Sequence, residues 1–198
     1  RNLKVARPRS EEKQQALLRA ATDIFAEQGL AAPTSAIARK AGVSEGTLFR
    51  YFENKDVLLS AVCDYLLDEM ECLLTQSLQG VLPGKDHMQA AWDAYIDWAL
   101  ANPAAYATGN KLMVSGKLSS AQRERSVRFG DISQLGIPLV QGLDLPQSSE
   151  FQGMICTVMA NGVIDMAVQK PHLLDIYKHA GYEAMMRAIE LPDVHTAI

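Results

Sequence analysis

Around Thr47, Arg50 and Tyr51 the chain sets hydroxyls and a guanidinium on one side of a short helical pattern, with Leu48 and Phe52 four residues apart on the other. Outward groups of these types donate hydrogen bonds to phosphate oxygens and to base edges, the chemistry of nucleic-acid binding. Such a helix must be held from behind. Ser44 is placed to cap it, and the preceding pattern carries Ile37, Ala38 and Ala41 on one face of a short helix expected to open at Thr34, a good capping type. Ala38 leaves room for a crossing helix, Gly42 supplies the left-handed turn between the two, and Val43 plugs the gap. Thr34 to Phe52, TSAIARKAGVSEGTLFRYF, therefore reads as a helix-turn-helix whose second helix enters the major groove of double-stranded DNA.

Charge agrees with that reading once it is divided. The net charge is −4, yet the first sixty residues carry ten Lys and Arg against seven Asp and Glu, and the remainder nine against sixteen. A basic head docks on phosphate while an acidic body is repelled. With 198 residues, 48% of them hydrophobic, a DNA module and one larger domain both find a core. No apolar run approaches the roughly 20 residues of a membrane span, and no signal-peptide pattern is read at a start that lacks an initiator Met. A soluble, cytoplasmic protein without a membrane partner is expected. Cys63, Cys72 and Cys156 are too few and too scattered for a disulfide framework and read as reduced thiols.

Helical periodicity runs through the chain, and no alternating strand pattern is found. Ser10, Glu11 and Glu12 open a first helix whose stripe is Leu17, Ala20, Ala21, Ile24 and Phe25, ending near Gly29; before it lies a basic arm, Lys4, Arg7, Pro8 and Arg9, either a DNA contact or a solvated tail. Asn54 and Lys55 start a long helix that ends before Gly80 and Pro83. Helices follow at about Asp86–Leu100 and on to Val114, then a ragged one from Ser119 to about Leu143 with Pro138 inside, and two more at about Ser148–Lys170 and Pro171–Ile189. In the last two, the stripes Phe151, Met154, Ile155, Val158, Met159, Gly162, Val163, Met166 and Tyr177, Ala180, Gly181, Ala184, Met185, Ala188, Ile189 are broad enough to serve an internal core or a four-helix interface between two copies, with Gly162 admitting close approach.

Ile24-Phe25 with Gly29, and then IARKAGVSEGTLFRYFENKDVLL from Ile37 to Leu59, resemble the TetR family of transcriptional regulators over the first quarter to third of the chain. The stretches ARPRSEEKQQALL, Ala6 to Leu18, and EGTLFRYF, Glu45 to Phe52, are similar to RamR-like repressors of multidrug efflux. The resemblance implies an all-α fold of about nine helices: a three-helix DNA-binding domain over 1–53 and a ligand-binding and dimerisation domain over 54–198, joined by a connecting helix over 54–80. It implies a repressor that binds a palindromic operator as a homodimer through its last two helices and is released by a small apolar or cationic effector. Carried over position by position, Thr34, Thr47, Tyr51 and Lys55 contact phosphate, Ser35, Glu45, Gly46 and Arg50 face base edges, Ser44 belongs to the same surface, and Phe49, lacking the hydroxyl often found there, packs on the sugar-phosphate chain. Arg50 suits guanine, whose O6 and N7 accept together.

All eight Met lie beyond residue 60, among Trp92, Tyr95, Trp98, Tyr106, Phe129, Phe151 and Tyr177; they fit an adaptable apolar pocket or plain core filling. Leu66, Met70, Trp92, Tyr95, Met113 and Met159 are the candidate lining, and Asp93, Asp97, Asp131 and Asp165 are candidate attractors of a cation or solvated charges. Neither a catalytic residue nor a cofactor is expected: His87, His172, His179 and His195 stand near no nucleophile elbow or phosphate loop. His172, Asp175 and His179 have helical metal-ligand spacing, but lack Cys and a visible supporting shell, so no metal is expected.

Overall fold

In the computed structural model, which describes residues 10–81, 84–128 and 140–189, the chain is helical throughout, and no strand occurs among the described residues. α1 (Glu11–Gln28) starts at Ser10, whose side chain accepts from the Lys13 amide, and stops at Gly29, where φ is +81° and the amide donates to Phe25 at 3.0 Å. α2 (Thr34–Lys40), α3 (Glu45–Tyr51) and α4 (Lys55–Ser77) follow; the Asn54 side chain accepts from the Val57 amide at 2.9 Å and so caps α4. Then come α5 (Lys85–Ala101), α6 (Pro103–Val114), α7 (Ser120–Arg128), α8 (Leu145–Gln169) and α9 (Leu174–Ile189).

These elements form two compact units, one built from residues through Asp68 with Pro103–Gln122, the other from Glu69–Asn102 with the chain from Arg123 onward. A cut after residue 53 therefore passes through the first unit. Leu58, Leu59 and Val62 of α4 are buried, and α6 packs on α1 through a buried bond from Thr108 Oγ1 to the Thr22 carbonyl at 2.7 Å. Sequence distance hides such a bond: Thr108 is 86 residues from Thr22. The core of this unit is Leu17, Ala21, Phe25, Ile37, Leu48 and Leu58, all fully buried, each large side chain contributing about 1.5–3 kcal/mol.

The second unit packs α5 on α8 and α9. Trp92 donates from its indole N–H to the Lys178 carbonyl at 3.0 Å and meets Tyr182 edge-on, and Tyr182 donates to the Lys85 carbonyl at 2.8 Å. Within this unit the helices come close at Gly181, where a Cβ would lie 2.4 Å from Val163 Cγ2, while nothing of the same chain lies within 4 Å of one at Gly162. Asp93 and Asp97 are not open to a cation either, because Lys178 Nζ holds them at 3.4 and 2.9 Å; burial lowers the Lys178 pKa, and the two carboxylates outweigh it to leave the pKa raised. Asp165 is exposed.

Several helix ends move. α8 begins at Leu145 rather than Ser148, since Asp144 and Gln147 form a reciprocal capping box ahead of it. Pro171–Leu173 is a 3₁₀ turn that precedes α9. α7 ends at Arg128, and the expected continuation through Phe129, Asp131 and Pro138 lies outside the described residues, as do the basic arm, Pro83 and His195. By length and composition α8 alone among the described helices is apolar enough to cross a membrane. One face of it, with Gln152, Cys156, Ala160, Ile164 and Ala167, is buried.

Candidate nucleic-acid interface

The turn between α2 and α3 is built as the residue types require. Ala41 donates to Ile37, Gly42 to Arg39 and Val43 to Ala38, at 2.9–3.1 Å, and Gly42 sits at φ +68°. The Val43 bond closes the six-residue ring typical of a glycine-ended helix. Ser44 then caps α3, its Oγ accepting from the Thr47 amide at 3.2 Å and lying 2.9 Å from the Thr47 hydroxyl. Leu48 and Phe52 face inward and are buried.

What remains outward is a contiguous surface. Ser35, Ser44, Glu45, Gly46, Phe49 and Arg50 are exposed, and Thr47 is half-buried beside its cap. Among the described residues Arg50 has no hydrogen-bond or ion-pair partner, so its guanidinium is unspent. Gly46 has open space above it, which lets a duplex approach the helix backbone.

Three residues expected at phosphate are already engaged. Thr34 is the first residue of α2 rather than its cap, Pro33 taking that place, and its hydroxyl donates instead to Glu45 Oε1 at 2.5 Å. The Tyr51 phenol accepts from the Ser10 amide at 3.0 Å, which ties the start of α1 to the end of α3 and leaves the phenolic hydrogen to donate. Lys55 Nζ donates to the Ala32 carbonyl at 2.7 Å; burial, assisted by the charge of Lys117, lowers its pKa. An ammonium has three donors, so two are left for phosphate. Beside this surface Lys40 is neutralised by Asp23 and Glu27 of α1, at 3.2 and 3.3 Å. No motif signals these side-chain bonds, because each joins residues eleven or more positions apart.

The candidate effector residues are divided between the two units, Leu66 and Met113 in the first and Met70, Trp92, Tyr95 and Met159 in the second. Leu66, Met70 and Trp92 are buried, Tyr95 and Met159 are half-buried, and Met113 is exposed on α6. Tyr95 donates to Asn161 at 3.3 Å and stacks on Trp98. A cleft of about 180 Å³ lies in the first unit, lined by Leu59, Ser60, Cys63, Leu112, Lys117 and Gln122 among others, and none of the six candidates borders it. No group of three metal-ligating side chains occurs among the described residues.

Residues 17–62 match the sequence model of bacterial regulatory proteins of the tetR family. Over 65 residues the chain is 46% identical to an HTH-type transcriptional repressor of Mycobacterium tuberculosis, a match that covers 32% of this chain and 35% of that protein. The chain thus spans about a third of the length of such curated relatives. In shape it resembles a TetR-family transcription regulator from Shewanella sp. PV-4, with a TM-score of 0.74 at 24% identity over 93% of this chain and 100% of that one. It also resembles FadR of Bacillus subtilis, solved in complex with stearoyl-CoA, with a TM-score of 0.60 at 15% identity over 89% and 99%. Residues 17–62 thus carry a helix-turn-helix domain of the TetR-family type, and the curated relatives it matches are transcriptional regulators.

Proposed function

We propose that the chain is a ligand-responsive repressor that binds a palindromic DNA operator as a homodimer in the cytoplasm and is released by a small apolar or cationic molecule. The observation that carries the DNA-binding part is the outward face of α3: a capped helix whose Glu45, Gly46, Phe49 and Arg50 stand exposed while Leu48 and Phe52 anchor it. Thr47, Tyr51 and Lys55 flank that face with hydroxyls and an ammonium for phosphate, and Ser35, Glu45 and Arg50 stand where base edges would lie.

The dimer rests on α8 and α9. The α8 stripe splits into two faces: Val163 is buried, while Phe151, Met154, Val158 and Met166 are 43–61% exposed, an apolar row at three- and four-residue spacing. On α9, Met185 and Ile189 are buried, while Ala180, Ala184 and Ala188 form an exposed small-residue row. Bulky apolar side chains left on a face in this way mark an interface. Four helices, two from each copy, would cover it and set two α3 helices for two half-sites.

Release follows if an effector prefers a body conformation in which the two recognition helices no longer match the operator. The Met-rich second unit and the acyl-CoA bound by FadR of B. subtilis both favour an apolar effector. Sedimentation of the full-length chain tests the assembly: a dimer is expected, and a monomer for Val158→Glu. Titrating the DNA complex with lipophilic cations and long-chain acyl compounds tests the effector. A wild-type monomer would overturn the dimer, and a complex indifferent to every compound would leave a regulator without an effector.

A further inference from the structure

The hydrogen bond between Thr34 and Glu45 joins the first residue of α2 to the first residue of the recognition helix. Both side chains sit at the face proposed to meet DNA, and the role inferred for them rests on that reading of the face. We propose that Glu45 selects a cytosine in each operator half-site and that Thr34 is the positioning residue that aims it.

The chemistry is restrictive. A carboxylate only accepts, and the Thr34 hydroxyl occupies Oε1 at 2.5 Å, leaving Oε2 without a partner among the described residues. In the major groove the donors are the exocyclic amino groups of cytosine and adenine. Adenine sets its N7 acceptor beside the amino group, where it faces a carboxylate acceptor to acceptor; cytosine does not. Phosphate repels the same carboxylate, so an aimed Glu45 is stable against DNA only where an amino group meets it. An unaimed glutamate, with its full set of rotamers, would act as a plain repulsive charge. Thr34 removes that freedom, at the position where the family resemblance implies a phosphate contact.

The test is selection of duplexes by the full-length chain from a random pool, repeated with Glu45→Gln, Thr34→Val and Thr34→Ser. For wild type, one cytosine per half-site is expected to be preferred about ten- to a hundredfold over the other bases. Glu45→Gln should replace that preference with adenine, and Thr34→Val should flatten it at that position alone. Thr34→Ser, which keeps the hydroxyl, should restore it. A merely structural pair would shift melting temperature or overall affinity and leave the base preference of every position unchanged. That outcome, or a wild-type preference for adenine, overturns the proposal. If wild type enriches no duplex at all, the DNA-binding proposal fails first, a distinct result.

Discussion

Lys111 Nζ lies 3.1 Å from the Phe25 carbonyl and also donates to Ala26, so a side chain of α6 closes the C-terminal end of α1. Those carbonyls belong to the last turn of α1, the end where partial negative charge gathers and where no basic residue of α1 itself stands. Replacing Lys111 with Met keeps the apolar stem and removes the donor. It is expected to cost about 1–2 kcal/mol, the range for a cation at a partly buried helix end. Urea unfolding reads this as a lower midpoint; an unchanged midpoint would mean that water serves the carbonyls equally well.

Gly181 sits where α9 meets Val163 of α8 and Trp92 of α5. An added methyl would sit 2.4 Å from Val163 Cγ2 and 3.0 Å from Trp92 Cζ2, so Gly181→Ala must push α9 off α5 and α8 and should destabilise by about 1–3 kcal/mol. Gly109→Ala, with open space around the new methyl inside α6, should instead stabilise by about 0.5–1 kcal/mol. Denaturant midpoints of the two variants should move in opposite directions, and parallel shifts would contradict the packing described.

The helix-turn-helix was legible because every signal in it is local. Gly42, the Ser44 cap and the i, i+4 pair Leu48 and Phe52 act within a few residues, and each stands as its type requires. Side-chain partners across helices left no such signal. Thr34 reads as a cap by type, yet its hydroxyl turns to Glu45 eleven residues away. Lys178 took Asp93 and Asp97 from across more than eighty residues, which no spacing rule reports. Glycine was read by the same limit: Gly162 and Gly181 look alike in a helical stripe, and only the neighbouring helix decides which one is crowded.

The three cysteines should separate by environment. Burial raises the Cys156 thiol to about 11, Cys63 is buried, and Cys72 is exposed. At pH 8 a thiol reagent should therefore modify Cys72 quickly and the other two only as the protein opens. The fold favours neutral Cys156, so its contribution to stability is complete below the ordinary pKa of 9.0 and is lost as pH rises towards about 11. Labelling of Cys156 in native protein as fast as Cys72 would contradict this.

Arg50 is expected to read guanine. Arg50→Ala should cost about 1–3 kcal/mol against the selected duplex and relax one base position, with little change on scrambled DNA. Competition between the two duplexes measures it, and an equal loss on both would make Arg50 a phosphate contact.

Two copies of α3 are proposed to read DNA together, and duplex selection from a random pool by the wild-type chain tests this. Enrichment of a palindrome is expected, its half-sites centred about one helical turn, or a multiple of it, apart. Enrichment of no sequence, or of a single unrepeated half-site, would contradict it.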